Sequence, residues 1–270
     1  MTERSKPYIG LSGIVNPEQQ AVLGNVFREQ GLDDSRVLAL GVKATHKTQM
    51  LDIENKYGRE WYPVGDEFND VLAHNESELH VAQVFIDPEL ARNERYRDEF
   101  IARIHQRGRS WLNAIQFDML PIGEDDSLPK FINDLKTTTG LNVLLQAHGG
   151  LMESYRPKEL VKVLGGFAVD YVLLDSSHGK GVRLNINTLH PYIEAFYESD
   201  ELSSAGIGIA GGLNAEVVAN DLSEIVKYYP DLSWDAEGQL HRSNENGKQP
   251  INLDDASGYL IASSNVLQEV

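Results

Sequence analysis

Ionisable side chains follow short apolar runs at several places along this sequence. Asp175 ends a run of Tyr, Val and Leu and is followed by two serines and His178. A carboxyl group between apolar walls has a raised pKa and can serve as a general acid. The same aspartate also fits a role as a helix N-cap or as a residue that fixes its own loop. Both interpretations stay open at this point.

Further polar groups end other apolar runs of the chain. They are Ser12, Lys43, Asp118, His148 and Asp235. If the runs are parallel strands of one barrel, these groups converge on one rim. Asp118, His148, Asp175 and Asp235 also offer oxygen and imidazole ligands for a divalent cation. An alternative function is therefore a metal-assisted epimerase, lyase or hydrolase, although no ligand spacing in the sequence itself predicts a metal site.

Two glycine-rich segments are candidates for binding phosphate. Gly211 and Gly212 stand just before a predicted helix, and Gly179 and Gly181 flank Lys180. Glycine lets backbone N–H groups approach an anion, and a helix N-terminus adds positive potential. Tight turns are the alternative interpretation of both segments.

Eight apolar runs alternate with helical stretches and predict the elements that position these groups. Most runs are continuous, which is typical of strands buried on both faces of a parallel sheet. Asn16 before Pro17, and Asn214 before an apolar helical stripe, predict helix starts. The runs are Tyr8–Ile14, Val37–Ala44, Leu79–Ile86, Ala114–Leu120, Leu141–Ala147, Tyr171–Asp175, Ile207–Gly211 and Asp231–Trp234.

The alternation predicts an α/β fold, a (β/α)8 TIM barrel, since eight units in 270 residues match the usual size of that fold. We expect a single domain over residues 1–270, with polar insertions at about 45–78 and 236–252. A doubly wound open sheet shows the same alternation. No Gly-x-Gly-x-x-Gly follows the first run, which favours the barrel.

Composition narrows the range of partners. The chain has 24 Lys and Arg against 41 Asp and Glu, a net charge of −17, which argues against binding nucleic acid or anionic membranes. The absence of cysteine excludes disulfides and thiol nucleophiles. No apolar run predicts a membrane span, and the polar N-terminal segment lacks a signal-peptide core, so we expect a cytoplasmic protein. No motif implies an organic cofactor, and the oligomeric state stays open.

Four segments carry a resemblance to a known family. In them the chain resembles phosphoribosylanthranilate isomerase, a barrel enzyme of tryptophan biosynthesis. The resemblance implies a barrel of the ribulose-phosphate-binding type, a phosphorylated sugar or sugar-amine as substrate, and an Amadori-like aldose–ketose isomerisation. The segments are Leu11–Ile14, Val84–Glu89, Leu173–Ser176 with the glycines around Lys180, and Ala210–Val218.

The resemblance also assigns catalytic roles. It implies that Asp175 is the acid that protonates the ring oxygen of the substrate. The base of the family is a cysteine, and its position holds Ser12. A serine hydroxyl has essentially no alkoxide near neutral pH, so Ser12 is expected to orient substrate. Asp235 and His148 are the candidates for the missing base.

The chain departs from the family in other segments. The phosphate element of the eighth strand is replaced by Trp234–Gly238, which carries two carboxylates, and the fourth-strand motif becomes Gln116–Met119. The arginine that contacts anthranilate has no clear match, with His46-Lys47 nearest. A non-catalytic descendant that binds a phosphosugar or a protein is therefore a further alternative.

The leading prediction remains a phosphosugar isomerase. The residues expected to hold its substrate and phosphate are Gly211, Gly212, Gly179, Lys180, Gly181, Lys43 and Asp118. The remaining histidines are interpreted as surface or packing residues. They are His46, His74, His80, His105, His190 and His241.

Overall fold

Eight parallel strands close into a barrel in chain order. The computed structural model describes residues 4–73, 79–87, 91–109, 111–177, 182–244 and 247–269. Strand β1 pairs with both β2 and β8, so the sheet has no edge. This closure confirms the predicted (β/α)8 barrel over the open sheet. The strands are β1 (Tyr8–Ser12), β2 (Val37–Thr45), β3 (Leu79–Phe85), β4 (Ala114–Phe117), β5 (Asn142–His148), β6 (Tyr171–Asp175), β7 (Gly206–Ala210) and β8 (Ser233–Ala236).

Helices connect the strands and cover the outside of the barrel. The predicted caps are confirmed, because the side chain of Asn16 accepts from the N–H of Gln19 at 2.9 Å and that of Asn214 from the N–H of Val217 at 2.9 Å. The helices are α1 (Pro17–Glu29), α2 (His46–Gln49), α3 (Glu67–Ala73), α4 (Glu94–Gly108), α5 (Leu128–Thr139), α6 (Gly149–Ser154), α7 (Pro157–Leu164), α8 (Ile186–Tyr197), α9 (Ala215–Val217), α10 (Ser223–Tyr228) and α11 (Leu253–Gln268). A π-helical segment, Val218–Leu222, joins α9 to α10.

The strands bury two separate apolar clusters. Their outward side chains pack against the helices, and their inward side chains fill the N-terminal half of the barrel. This lower interior consists of Tyr8, Val37, Ala39, Leu79, Val81, Ala114, Leu144 and Tyr171. Because side chains alternate along each strand, the next inward positions toward the C-terminal ends of the strands line the other half of the barrel interior.

Strand β8 lies two residues later than the sequence predicts. The run Asp231–Trp234 was expected, whereas the strand begins at Ser233 and ends at Ala236. Asp231 lies before the strand and accepts a hydrogen bond from the Tyr197 hydroxyl at 2.6 Å. The shift places Asp235 inside the strand, opposite Gly10 of β1, rather than in the loop that follows.

The first polar insertion is tied to the body of the barrel. It contains α2 and α3, and Arg107 of α4 donates to Asp52 within it at 2.6 Å. Gln49 donates to the carbonyl oxygen of Pro63 at 2.9 Å, which closes the loop between the two helices. The insertion is therefore a folded segment beside the end of β2.

The second insertion was predicted as a polar loop, and this is wrong in part. It forms an antiparallel hairpin of β9 (His241–Asn244) and β10 (Gly247–Ile251). The ring of His241 packs on Trp61 of the first insertion with 4.3 Å between centroids. The two insertions therefore meet beside the C-terminal end of the barrel. Among the helices in the described ranges, none is long and apolar enough to cross a bilayer.

Candidate active site

The C-terminal half of the barrel interior is polar and surrounds a cavity of about 500 Å³. A space of this size suits a small molecule. The structure brings together around it most of the predicted site residues, from six different strands or the loops after them. The polar side chains that line it belong to Ser12, Gln83, Gln116, Asp118, Gln146, His148, Asp175, Ser177, Asp235 and Glu237.

Asp235 of β8 lines this cavity. Its Oδ1 accepts a hydrogen bond from the Ser12 hydroxyl at 3.2 Å. A Cβ atom at Gly10 would lie 2.5 Å from Asp235 Oδ2, so glycine at that position leaves the space that the carboxyl group occupies. Burial, followed by the charge of Glu237, raises the pKa of Asp235 to about 8.

Helix α11 fixes the direction in which Asp235 points. Trp234 faces outward, and its indole N–H donates to the Ser263 hydroxyl at 3.0 Å. The Tyr259 hydroxyl lies 3.2 Å from the carbonyl oxygen of Gly10 and 3.3 Å from that of Trp234. With Trp234 held against the helix, the alternation of the strand turns Asp235 into the barrel.

Asp118 is the second carboxyl group with an altered pKa. It follows β4 and accepts a hydrogen bond from Gln116 Nε2 at 2.9 Å. Burial raises the pKa of Asp118 to about 7 against the effect of this hydrogen bond, and the charge of Glu237 adds to the rise. Asp118 and Asp235 can therefore both exchange protons near neutral pH.

Asp175 is held by three donors at the end of β6. Its Oδ1 accepts from the N–H and the hydroxyl of Ser177 at 2.8 and 2.6 Å, and its Oδ2 accepts from Gln146 Nε2 at 2.8 Å. The contact with the Ser177 N–H is the loop-fixing role that the sequence left open. Its role as a general acid stays a prediction.

His148 pairs in register with Asp175 and caps a short helix. Its Nδ1 accepts from the N–H of Leu151 at 3.3 Å, at the start of α6. In a neutral ring with Nδ1 as acceptor, the proton is on Nε2, which makes that atom a donor. The role of His148 as the base stays a prediction.

Lys43 is paired with a carboxylate beside the cavity. Its Nζ donates to Glu237 and lies 5.0 Å from the ring centroid of Trp61 and 5.5 Å from that of Tyr62. Burial lowers the pKa of Lys43, but the charge of Glu237 outweighs it, so that pKa is raised overall. Burial raises the pKa of Glu237, and Lys43 reverses this to a net lowering. The charge of Lys43 is thus directed to Glu237 rather than to the cavity.

The glycines after β7 make a tight turn. Gly211 has a φ of 113° and Gly212 a φ of 62°, both in the left-handed region. A Cβ atom at Gly212 would lie 2.4 Å from the carbonyl oxygen of Val182. The turn interpretation therefore accounts for both residues, which also border the cavity. The other predicted phosphate residues, Gly179, Lys180 and Gly181, lie outside the described residues.

The four residues of the metal alternative do not form a ligand set. Across the ranges that the structure describes, no three or more His, Asp or Glu side chains are grouped to hold one ion. Each carboxyl group instead accepts hydrogen bonds from its own neighbour on the barrel wall. Asp118, His148, Asp175 and Asp235 thus line one cavity without a metal-ligand grouping among the described residues, and the metal alternative stays untested.

Two residues beside the cavity were missed by the sequence interpretation. Gln83 follows Leu79 and Val81 at inward positions of β3, so the alternation of that strand contained the signal. Trp61 belongs to the first insertion, and its ring lies over Lys43. No local sequence pattern predicts that this insertion packs against the end of β2.

Comparison with known proteins gives fold likeness only. No family model matches the sequence, and no curated protein matches it significantly. Among solved structures, phosphoribosyl anthranilate isomerase from Thermococcus kodakaraensis has a TM-score of 0.59 at 16% identity, over 97% of this chain and 99% of that one. At this level of identity, the two proteins are similar in fold.

Other barrel proteins are similar to a comparable degree. Ribulose-1,5-bisphosphate carboxylase/oxygenase from Pyrococcus horikoshii OT3 has a TM-score of 0.58 at 12% identity, over 98% of this chain but only 59% of that one. A citrate lyase from Burkholderia xenovorans LB400 has a TM-score of 0.52 at 14% identity, over 97% and 78% of the two chains. These proteins have different names and a common architecture, so activity has to be argued from the site.

Proposed function

We propose that this barrel is an enzyme that isomerises a phosphorylated sugar or sugar-amine by acid–base catalysis. The observation that carries the proposal is the presence of two carboxyl groups, Asp118 and Asp235, on one cavity with pKa values of about 7 and 8. General acid–base catalysis is most efficient when the pKa of each group lies near the working pH. Two groups whose pKa values differ can divide the roles of acid and base.

The neighbours of the two carboxyl groups suggest how the roles are divided. Asp118 accepts from the Gln116 amide, which favours its ionised form, and is assigned as the base. Asp235, whose protonated form is favoured by burial and by the charge of Glu237, is assigned as the acid. In an aldosylamine, Asp235 protonates the ring oxygen as the C1–O bond breaks. Asp118 then removes the C2 proton to give a 1,2-enaminol. Asp118 returns a proton to C1 while Asp235, now ionised, accepts the proton of the O2 hydroxyl, which leaves the neutral amino-ketose and both carboxyl groups in their starting states.

Neighbouring groups would orient the substrate. Ser12 is hydrogen-bonded to Asp235 and can position the reacting oxygen. Asp175 is held in place by Gln146 and Ser177 and can accept from substrate hydroxyls. This assignment moves the acid role from Asp175 to Asp235.

The phosphate group is proposed to lie on the β7 side. Of the inward positions of that strand, Ala210 borders the cavity, whereas the side chains of Tyr171 and Tyr8 fill the space beside Gly206 and Gly208. The turn at Gly211 and Gly212 follows directly and borders the cavity. Glu237, which would repel a phosphate, belongs to the segment after β8.

Turnover and isotope exchange test the proposal. The purified protein is incubated in D2O with phosphoribosylanthranilate and, separately, with aldose phosphates. Fluorescence follows the first substrate, and mass spectrometry follows deuterium at C1 of each ketose product and at C2 of the recovered substrate. We expect exchange, with kcat/KM limited by groups of pKa about 7 and 8. Asp118→Asn and Asp235→Asn should each lose about 10²–10⁴-fold in rate. The exposed Asp134→Asn is the matched control.

Two results would oppose the proposal. If the wild-type protein shows neither turnover nor deuterium uptake with any of these compounds, it is not an isomerase of this class. Binding of a phosphosugar without exchange would instead identify a non-catalytic descendant. If both aspartate variants keep full activity, the roles assigned to Asp118 and Asp235 are wrong.

A further inference from the structure

The side-chain donors around the cavity are largely directed to its carboxyl groups. Each of three glutamine amides donates to a different carboxylate. The pairs are Gln83 with Glu237 at 3.2 Å, Gln116 with Asp118 at 2.9 Å, and Gln146 with Asp175 at 2.8 Å. The hydroxyl groups do the same, since Ser12 donates to Asp235 and Ser177 to Asp175. The hydrogen-bonding capacity left for a ligand therefore consists mainly of acceptors.

The side-chain oxygen of Gln83 is a specific acceptor that lacks a hydrogen-bond donor among the described residues. The residue is 8% exposed, and its amide is oriented by the hydrogen bond from Nε2 to Glu237. Its Oε1 atom is buried and has no hydrogen-bond partner among the residues that the structure describes. The residue faces inward, next to Lys43 and Gln116 in the register of the sheet, and lines the cavity. Leaving a buried acceptor unsatisfied costs about 1–3 kcal/mol, so a ligand that donates here is favoured.

The charges around Gln83 favour a cationic donor. Four carboxyl groups line the cavity, those of Asp118, Asp175, Asp235 and Glu237. Lys43, which stands next to Gln83 in the register of the sheet, is already paired with Glu237. Carboxylates at close range repel one another, and a positive group between them removes that repulsion. A neutral hydroxyl would satisfy Gln83 but leave the excess of negative charge.

We infer that the substrate carries a protonated primary amine, which donates to Gln83 Oε1 and to the carboxylate of Asp118, as in an amino sugar or an amino polyol. The inference rests on the proposed function and names its substrate class. The amine end lies on the side of β3 and β4, across the barrel from the proposed phosphate end at Gly211 and Gly212. A phosphorylated amino sugar would satisfy both ends.

Three polyols that differ in one group test the amine subsite. Glucamine has a primary amine where sorbitol has a hydroxyl, and sorbitol 6-phosphate carries an anion instead. Binding of each to the whole protein is measured by calorimetry at pH 8, with the shift in melting temperature as a second readout. We expect glucamine to bind at least about tenfold more tightly than sorbitol, equivalent to about 1.4 kcal/mol.

Variants at the subsite give the sharper comparison. Gln83→Met removes the unsatisfied acceptor at similar volume, and Asp118→Asn removes the charge while keeping the shape. Each should reduce the preference for glucamine over sorbitol about tenfold. Gln106→Met, at an exposed position of α4, is the matched control and should leave the preference unchanged. The melting temperature shows whether each variant is folded.

The outcomes separate this inference from the proposed function. Equal affinity for glucamine and sorbitol, or a preference that survives both Gln83→Met and Asp118→Asn, would overturn the amine subsite. Tight binding of sorbitol 6-phosphate with no amine preference would also overturn it, while leaving a phosphosugar isomerase in place. If the protein prefers the amine but shows no deuterium exchange, the amine subsite is supported and the proposed isomerase activity is overturned.

Discussion

The lower and upper halves of the barrel interior are built from the same strands and differ in what they bury. In the lower half, Leu144 and Tyr171 pack with other apolar residues, and the rings of Tyr8 and Tyr171 meet edge to face at 5.1 Å. In the upper half, the same alternation turns Asp118 and Asp235 toward a cavity. A single periodicity therefore produces a packed floor and a polar pocket along one axis.

The difference shows that stability and chemistry are separated along the strands. Burial of the apolar floor contributes favourably to folding. Burial of the carboxyl groups is costly, and the raised pKa values of Asp118 and Asp235 express that cost. Changes in the floor should thus affect folding alone, whereas replacing Asp118 or Asp235 by a neutral residue should stabilise the fold and lower the activity.

The largest expected effect on stability comes from the floor. Leu144→Ala removes a fully buried side chain and should lower the free energy of unfolding by about 2–5 kcal/mol. Urea unfolding followed by fluorescence measures it. Activity per folded molecule should be unchanged. Ile261→Ala, at an exposed position of α11, is the control, and a similar cost at both positions would contradict the comparison.

A smaller effect is expected where the pocket holds its ion pair. Lys43→Met leaves the Glu237 carboxylate without its cation, and we expect a loss of about 2 kcal/mol at pH 8. This is less than for a fully buried pair, because the Glu237 side chain is 31% exposed. Adding Glu237→Gln should restore most of the loss.

An exposed ion pair serves as the reference for this change. Lys130→Met breaks the contact with Asp134 on the surface of α5 and should have no measurable effect on unfolding. If Lys43→Met changes the free energy of unfolding as little as Lys130→Met does, the ion pair of Lys43 and Glu237 does not stabilise the pocket. If the Lys43 and Glu237 changes are additive, the pair is not coupled.

The last predicted effect concerns the pH dependence of folding. The pKa of Asp235 is raised in the folded protein to about 8, from about 3.9 in an unfolded chain. The folded state then binds the proton more tightly, so this stabilisation is present at low pH and is lost as the pH rises toward 8. The Asp235→Asn variant has no ionisable group at this position, so its stability should not fall over this pH range for the same reason.

Thermal and urea unfolding between pH 5 and 9 measure this difference. Asp235→Asn should gain at least about 1.4 kcal/mol over the wild type across that range, the equivalent of one pKa unit. The same variant should be inactive, which is a trade of stability against function. A parallel pH dependence in both proteins would show that Asp235 ionises normally.

Much of the fold and part of the site could be predicted from local sequence. Each of the eight apolar runs overlaps a strand, and the caps at Asn16 and Asn214 are confirmed. The boundary of β8 was misjudged because Asp231 and Ser233 interrupt its apolar pattern. Gln83 was overlooked because the run Leu79–Ile86 was interpreted as continuously apolar, although the alternation of the strand places Gln83 inward with Leu79 and Val81.

The sequence by itself determined the order of strands and helices, because alternation and capping depend on neighbouring residues. It also determined which polar residues stand at the strand ends, including Ser12, Asp175 and Asp235. Only the tertiary structure decided how they pair. Lys43 and Glu237 are 194 positions apart and meet only when the barrel closes. The pKa values of the carboxyl groups follow from that closure, since burial and the charges of distant residues set them.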